Sequence, residues 1–215
     1  MPRPCWGWWR SLTAVPADAS PVPQRRLAIL AYGSLLYRLG VGLASVVVGQ
    51  EPCRTPYPVE YGRASRRWGG GPVLVPHPRG GPVQGALLLL AEGVELGAAV
   101  QLLAEREGLE GGRGVVQVEL PGDRLVLSAS LPRNLTEPDM APDALARRAV
   151  ESARTGPRNG VAYLRGAVDA GVLTPLTGAY AEAVMALVGA ASLAEAERLV
   201  ALPGRAAAGR ANGLG

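Results

Sequence analysis

The chain has 215 residues, with 22 basic and 18 acidic side chains and a formal net charge of +4. It contains no lysine, a single histidine, His77, and two isolated cysteines, Cys5 and Cys53. These counts exclude a histidine-dependent catalytic triad and a zinc site with two imidazoles within one chain, and the cysteine spacing fits neither a zinc ribbon nor a redox pair. Catalytic chemistry must therefore come from carboxylates, hydroxyls, arginines or backbone groups.

The basic balance does not by itself predict a nucleic-acid-binding protein. The arginines are scattered, no DNA-binding or RNA-binding motif is present, and only Arg63, Arg66 and Arg67 beside Trp68 form a local basic group. The longest apolar run, residues 86–91, has the length of a strand and not of a membrane span. We therefore expect a cytoplasmic protein that binds neither nucleic acid nor a membrane.

The two ends of the chain lack the periodicity of helices and strands. Residues 1–24 contain three tryptophans and then a stretch rich in proline and alanine, and Arg10 interrupts any apolar segment that could act as a signal peptide. Residues 203–215 are small and rich in glycine. We expect disordered segments at both ends, on either side of a single domain over residues 25–202.

Between these ends, the first half of the chain has the pattern of strands and the second half that of helices. Strand-like runs lie at residues 27–32, 44–48, 57–66, 73–75, 83–91, 115–120 and 124–131, and one helix over residues 95–107 interrupts them. Further helices are predicted from residue 142, over 161–172, over 175–189 and over 192–201. Asn159 and Ser192 are placed to cap two of them. This order of elements indicates an α+β fold.

The helix that interrupts the strands carries two acids with opposite expected orientations. Leu96, Val100 and Leu103 form its apolar stripe, and Glu107 returns to within about 20° of Leu96 around the helix axis, whereas Glu105 lies about 180° away. A buried carboxylate has a raised pKa, and such a group can move protons near neutral pH. The alternative for the inward-facing acid is an ion pair with an arginine, or a position at the frayed helix end.

A second feature follows the first predicted strand. Tyr32, Gly33, Ser34 and Leu35 form a glycine-containing turn directly after an apolar run. Such a turn presents backbone N–H groups that can hold an oxygen-rich ligand. The alternative is a plain turn, in which the Ser34 hydroxyl only stabilises the backbone.

Together and in this order, the two features resemble the γ-glutamylcyclotransferase-like superfamily, which includes the ChaC-type and the γ-glutamylamine cyclotransferases. The resemblance covers residues 27–190 and rests on AYGSL at 31–35, PVQGALLLL at 82–90, LLAEREGLEGG at 102–112 and, more loosely, GPRNGVAYL at 156–164. The chain departs from the family at residues 111–114, where the aromatic residue that several members place after the acid is missing. The wall of the substrate cleft must therefore differ.

The resemblance implies a small mixed β-barrel surrounded by helices, with a cavity between the turn and the acid. It also implies an enzyme that converts a γ-glutamyl amide or peptide, glutathione among them, to 5-oxoproline and a free amine or amino acid, with no metal or other cofactor. Glu107 would be the acid/base, and the backbone of residues 32–35 would hold the γ-glutamyl oxygens. Arg63 and Arg66, on a strand similar to one in other members, are candidates to bind a substrate carboxylate.

Lactam closure suits a chain of this composition. The substrate supplies its own nucleophile, so the protein has only to fix a conformation, move one proton and stabilise one oxyanion. Two alternatives remain: a non-catalytic protein that binds γ-glutamyl or other small carboxylate ligands on the same fold, and an acyl or amine transferase. A solvated surface role is the alternative for the two arginines, and the sequence leaves the leaving group and the oligomeric state open.

Overall fold

The computed structural model describes residues 10–11 and 26–201, which divide into two compact units. The first unit holds the described residues up to Pro56 together with Gln84–Leu131. The second holds Tyr57–Val83 and the described residues from Pro132 onwards. Because each unit is made of two stretches of chain, no single cut in the sequence separates them, and the single domain over residues 25–202 stays a prediction.

Strands are concentrated in the first part of the described chain and helices in the last, which confirms the predicted α+β class. In chain order the strands are β1 (Arg10–Ser11), β2 (Leu27–Ala31), β3 (Val47–Arg54), β4 (Val59–Ser65), β5 (Gly71–Pro76), β6 (Gln84–Leu90), β7 (Val115–Val118) and β8 (Leu125–Ala129). The helices are α1 (Val41–Ala44), α2 (Leu96–Glu107), α3 (Pro142–Ser152), α4 (Gly160–Asp169), α5 (Thr177–Val188) and α6 (Leu193–Ala201).

The first unit is built on a mixed sheet of five strands extended by the two-residue strand β1. The strand order is β1-β7-β8-β2-β6-β3, with β2 parallel to β8 and antiparallel to β6. Within the described residues this order has two ends, at β1 and β3, and no pairing joins them. The α+β class is therefore established, while the barrel implied by the resemblance is not.

Helix α2 packs its apolar side into the core of the first unit. Ala99 and Leu103 have no exposed surface and lie in one cluster with Leu88 and Leu127. Burial of a leucine side chain contributes about 1.5–3 kcal/mol, so this contact fixes the rotation of the helix about its axis. Leu96 is only partly buried, so the buried face is centred slightly to one side of the predicted stripe.

The second unit combines a two-stranded sheet, β4 with β5, and the helices α3 to α6. Its centre is aromatic: the ring of Tyr61 meets those of Tyr163 and Tyr180 edge to face, with centroids 6.5 and 5.0 Å apart, and Trp68 meets Tyr163 at 4.9 Å. Edge-to-face pairs of this kind contribute about 0.5–1.5 kcal/mol each beyond the area they bury. The aromatic cluster therefore holds β4 against α4 and α5.

Two local predictions are wrong. Residues 41–44 form α1, and the strand expected at 44–48 begins at Val47 and continues to Arg54. Gly49 and Pro52 disrupt the strand pattern, and a proline is tolerated there because β3 lies at the edge of the sheet. In addition, the strand-like run predicted over residues 57–66 ends at Ser65 as β4, and residues 66–68 form a 3₁₀ turn.

The predicted disordered segments at residues 1–24 and 203–215 lie outside the described residues, apart from Arg10 and Ser11. These two residues form β1 and pair with β7. In the described part of the chain, no helix combines the length and the apolar character needed to cross a membrane.

Candidate functional site

The turn predicted as an oxygen-binding feature lies at the carboxyl end of β2. Residues Gly33–Leu35 form one buried 3₁₀ turn, and Tyr32 precedes it in an extended conformation. Gly33 has a φ of +58°, which glycine adopts without strain. The first N–H groups of a helical turn have no partner within it, and among the described residues no backbone hydrogen bond outside the helices and strands uses the N–H of Gly33 or Ser34. The turn therefore presents two N–H donors.

The candidate acid occupies the last residue of α2. Gly108 ends the helix in the left-handed conformation and donates its N–H to the carbonyls of Ala104 and Glu105. The side chain of Glu107 is 15% exposed, whereas Glu105 is exposed to solvent. The opposite orientations predicted for the two acids are confirmed.

Arg106 connects the turn with the acid. Its Nη1 donates to Oε1 of Glu107 at 3.0 Å, and its Nη2 donates to the Ser34 hydroxyl at 3.2 Å. Nε and Nη2 also donate to the carbonyl oxygen of Arg38, at 2.9 and 2.7 Å. Because the Arg106 side chain is itself only 15% exposed, its hydrogen bonds to Glu107 and Ser34 are partly shielded from water, whereas those to the exposed Arg38 are not. One guanidinium thus holds the turn, the chain that follows it and the acid together.

The ion pair of Glu107 is the alternative that the sequence left open for this residue, and Arg106 is the residue that sequence reasoning missed. A signal for it exists: Arg106 follows Ala99 by seven positions, which brings it to within about 20° of that residue around the helix axis. Ala99 is fully buried. An arginine in the last turn of a helix is, however, typical of a solvated position that complements the helix dipole, which is why the pattern did not single it out.

The candidate arginines Arg63 and Arg66 belong to the second unit, whereas Glu107 belongs to the first. Arg63 is half-buried on β4 and donates from Nη1 to the carbonyl of Pro132. Burial, followed by the positive charge of Arg66, lowers the pKa of Arg63 below its usual range. Arg66 lies in the turn after β4 and is exposed. The two side chains therefore have different surroundings, and only Arg63 is held by a neighbouring segment.

A second inward carboxylate, Glu60 on β4, was not selected from the sequence. It has no exposed surface. Its carboxylate accepts a hydrogen bond from the Thr174 hydroxyl at 2.5 Å and from the N–H groups of Tyr61 and Leu176 at 3.0 and 3.2 Å. Burial raises the pKa of Glu60, and these hydrogen bonds offset part of the rise. Glu60 thus ties β4 to the chain that leads into α5, which is a structural role.

The groups gathered in the first unit are suited to acid–base chemistry on an oxygen-containing ligand. They comprise a largely buried carboxylate, a guanidinium, a hydroxyl and two backbone N–H donors. A carboxylate can exchange a proton with a substrate nitrogen, and fixed donors can stabilise a developing oxyanion. Within the described residues, no group of three or more His, Cys, Asp and Glu side chains is placed to hold a metal ion.

The chain was also compared with known proteins. A scan against protein-family models finds no model that matches it, and a search of curated proteins finds no match either.

Proposed function

We propose that this chain is an enzyme of the γ-glutamylcyclotransferase type. Its substrate is a γ-glutamyl amide or peptide, and its products are 5-oxoproline and a free amine or amino acid. The observation that carries the proposal is the joint contact of Arg106 with Glu107 and Ser34, because it links the acid to the turn that the resemblance pairs with it. The β-barrel and the enclosed substrate cavity of the superfamily are part of the proposal.

The protein has to supply only a few of the requirements of this reaction. The α-nitrogen of the γ-glutamyl group attacks its own γ-carbonyl carbon, a new N–C bond forms, and the bond from that carbon to the leaving nitrogen breaks. The nucleophile is part of the substrate, so its effective concentration is already high. A bent substrate conformation, proton transfer and stabilisation of one oxyanion remain for the protein to supply.

Glu107 carries out the proton transfer. Its carboxylate takes protons from the α-ammonium nitrogen and returns them to the leaving nitrogen, so the protons balance over the reaction. The N–H groups of Gly33 and Ser34 donate to the γ-carbonyl oxygen as negative charge develops on it. Arg106 is a positioning residue, since it holds the carboxylate of Glu107 and the Ser34 hydroxyl.

The test is release of 5-oxoproline from γ-glutamyl dipeptides, γ-glutamylamines and glutathione. The wild-type chain should release 5-oxoproline from at least one of them, and Glu107→Gln should lower the rate by about a hundredfold or more, the usual contribution of a general acid–base group. Glutamine keeps an oxygen that can accept from Arg106, so the variant should fold normally. A γ-glutamyl-transferred product in place of 5-oxoproline would indicate a transferase.

Glu105→Gln is the matched control. Glu105 lies two positions away on the same helix and is exposed, so its substitution changes the net charge equally without touching the site. It should leave the rate within about twofold of the wild type. The proposal fails if none of the substrates yields 5-oxoproline, or if Glu107→Gln is as active as Glu105→Gln.

A second candidate is a non-catalytic protein that binds a γ-glutamyl or other small carboxylate ligand. The observation that favours it is the ion pair of Glu107 with Arg106, which already occupies Oε1 of the carboxylate. In this case the chain binds γ-glutamyl ligands in a calorimetric titration but releases no 5-oxoproline from them. Turnover that depends on Glu107 would eliminate this candidate.

A further inference from the structure

A basic cleft lies in the second unit, around the turn that follows β4. It has a volume of about 700 Å³ and is lined by Ala64, Arg66, Arg67, Gly69, Gly70, Thr155, Gly156, Pro157 and Arg158. The lining includes three arginines and no acidic residue. The cleft is open to solvent and is large enough for a small organic ligand to enter.

The positive charge of the cleft has no counterpart in its own walls. Arg66 and Arg158 are exposed, and their side chains make no hydrogen bond or ion pair with any residue that the structure describes. The positive charge of Arg66 also acts on its neighbour Arg63, because it adds to the effect of burial in lowering the pKa of Arg63. Like charges brought together at a surface are unfavourable without an anion between them. The cleft thus has unused guanidinium donors directed at solvent.

Close backbone approaches bring the two walls of the cleft together. A side chain on Gly69 would place its Cβ within 2.7 Å of the carbonyl oxygen of Ser152 and in collision with the Thr155 hydroxyl. A side chain on Gly71 would meet the backbone of Gly160 at 2.5 Å. Since only glycine fits at both places, the turn after β4 is held against the chain between α3 and α4. The arginines are therefore presented by a fixed backbone.

We propose that this cleft binds a small ligand that carries at least two negative charges on phosphate or carboxylate oxygens. The guanidinium group donates parallel N–H pairs that match the oxygens of both groups. A single carboxylate would pair with only one of the exposed arginines Arg66 and Arg158, and would fill a small part of the volume. The proposal concerns residues of the second unit alone and does not rest on the function proposed for Glu107.

The test is calorimetric titration of the full chain with inorganic pyrophosphate, citrate and acetate at low salt. Pyrophosphate or citrate should bind, and acetate should bind at least about tenfold more weakly because it carries one charge. Binding of pyrophosphate in preference to citrate identifies a phosphate ligand, and the reverse identifies a carboxylate ligand. Arg66→Gln and Arg158→Gln should each raise the dissociation constant about tenfold or more.

Arg147→Gln is the matched control, because Arg147 is exposed on α3 and does not line the cleft. It removes the same charge and should change the dissociation constant by less than about twofold. All three variants alter exposed side chains and should unfold at the wild-type temperature. The proposal is overturned if neither pyrophosphate nor citrate binds, if acetate binds equally well, or if Arg147→Gln weakens binding as much as the cleft variants. Binding of a single-stranded oligonucleotide without binding of either small probe would also overturn it.

Discussion

Arg106 donates from Nη2 to the Ser34 hydroxyl at 3.2 Å, although the two residues lie 72 positions apart in the sequence. The same guanidinium donates to Glu107 and, twice, to the carbonyl of Arg38. Removal of a largely buried arginine that serves three different acceptors takes at least one hydrogen-bond donor from each of them. The carboxylate and the turn are therefore coupled through one side chain.

We expect Arg106→Ala to affect both stability and activity. Loss of the donors should lower the free energy of unfolding by about 1–3 kcal/mol, measured by urea denaturation. It should also lower 5-oxoproline release at least about tenfold, because Glu107 is no longer held beside the turn. Arg106→Lys should lie between the wild type and Arg106→Ala in both measurements, since a single ammonium group cannot reach all the acceptors of a planar guanidinium.

Arg113→Ala is the control for this prediction. The side chain of Arg113 is 86% exposed, and its contact with Glu110 is long, at 3.9 Å. Exposed pairs of this kind contribute little, so neither the free energy of unfolding nor the rate should change appreciably. If Arg106→Ala matched Arg113→Ala in both measurements, the contacts of Arg106 would have no positioning role.

The rotation of α2 about its axis could be predicted from the sequence, and with it the difference between Glu105 and Glu107. Apolar residues at helical spacing determine which side of a helix is buried. A polar residue at the same spacing must then lie on that buried side too. The contacts of the buried side could not be predicted in the same way. Arg106 meets Ser34 and Arg38 only after α2 has packed beside the turn, and no local pattern encodes that distance.

Glu60 is a clearer example of long-range contacts that could not be predicted from the sequence. Besides the adjacent Tyr61, its hydrogen-bond partners Thr174 and Leu176 lie 114 and 116 positions away in the sequence. The sequence around Glu60 therefore does not show which segments bury it. Asn159 is the opposite case, because both of its acceptor contacts lie within three residues. Local features such as caps and helix phase were therefore predicted correctly, whereas β3 at the sheet edge and the long-range polar contacts were not.

The cap of α4 provides a second prediction. Oδ1 of Asn159 accepts from the N–H groups of Val161 and Ala162, both at 3.0 Å, and its Nδ2 donates to the Gly156 carbonyl at 3.1 Å. Asn159→Ala should lower the free energy of unfolding by about 1–2 kcal/mol, measured by urea denaturation. Asn159→Asp keeps the capping oxygen Oδ1 and loses only the donation to the Gly156 carbonyl, so it should cost less.

Ser192→Ala is a suitable comparison for the cap of α4. Among the described residues, the Ser192 hydroxyl accepts only from the Glu195 N–H, at 3.2 Å, and the site is exposed. Water can replace such a bond, so the loss should be smaller than for Asn159→Ala. An equal or greater loss at Ser192 would contradict the assignment of Asn159 as the stronger cap.

The third prediction concerns the dependence of stability on pH. Burial raises the pKa of Glu60 in the folded chain above its usual value. The folded protein therefore binds this proton more tightly than the unfolded chain, and linkage makes the contribution of Glu60 to stability largest below the ordinary glutamate pKa of about 4.3. That contribution is lost as the pH rises through the folded-state pKa.

Urea denaturation of the wild type and of Glu60→Gln over a series of pH values measures this effect. The difference between the two free energies of unfolding should shift in favour of the variant as the pH rises from the ordinary glutamate pKa through the folded-state pKa of Glu60, because glutamine does not titrate. Comparison with the variant is needed because Asp139, whose pKa is lowered by hydrogen bonds from Thr136, contributes a slope of opposite sign to both proteins. Glu182→Gln removes the same charge at an exposed position of α5 and serves as the charge-matched control. If Glu60→Gln and the wild type had parallel profiles across this pH range, the carboxylate of Glu60 would not be the group that titrates.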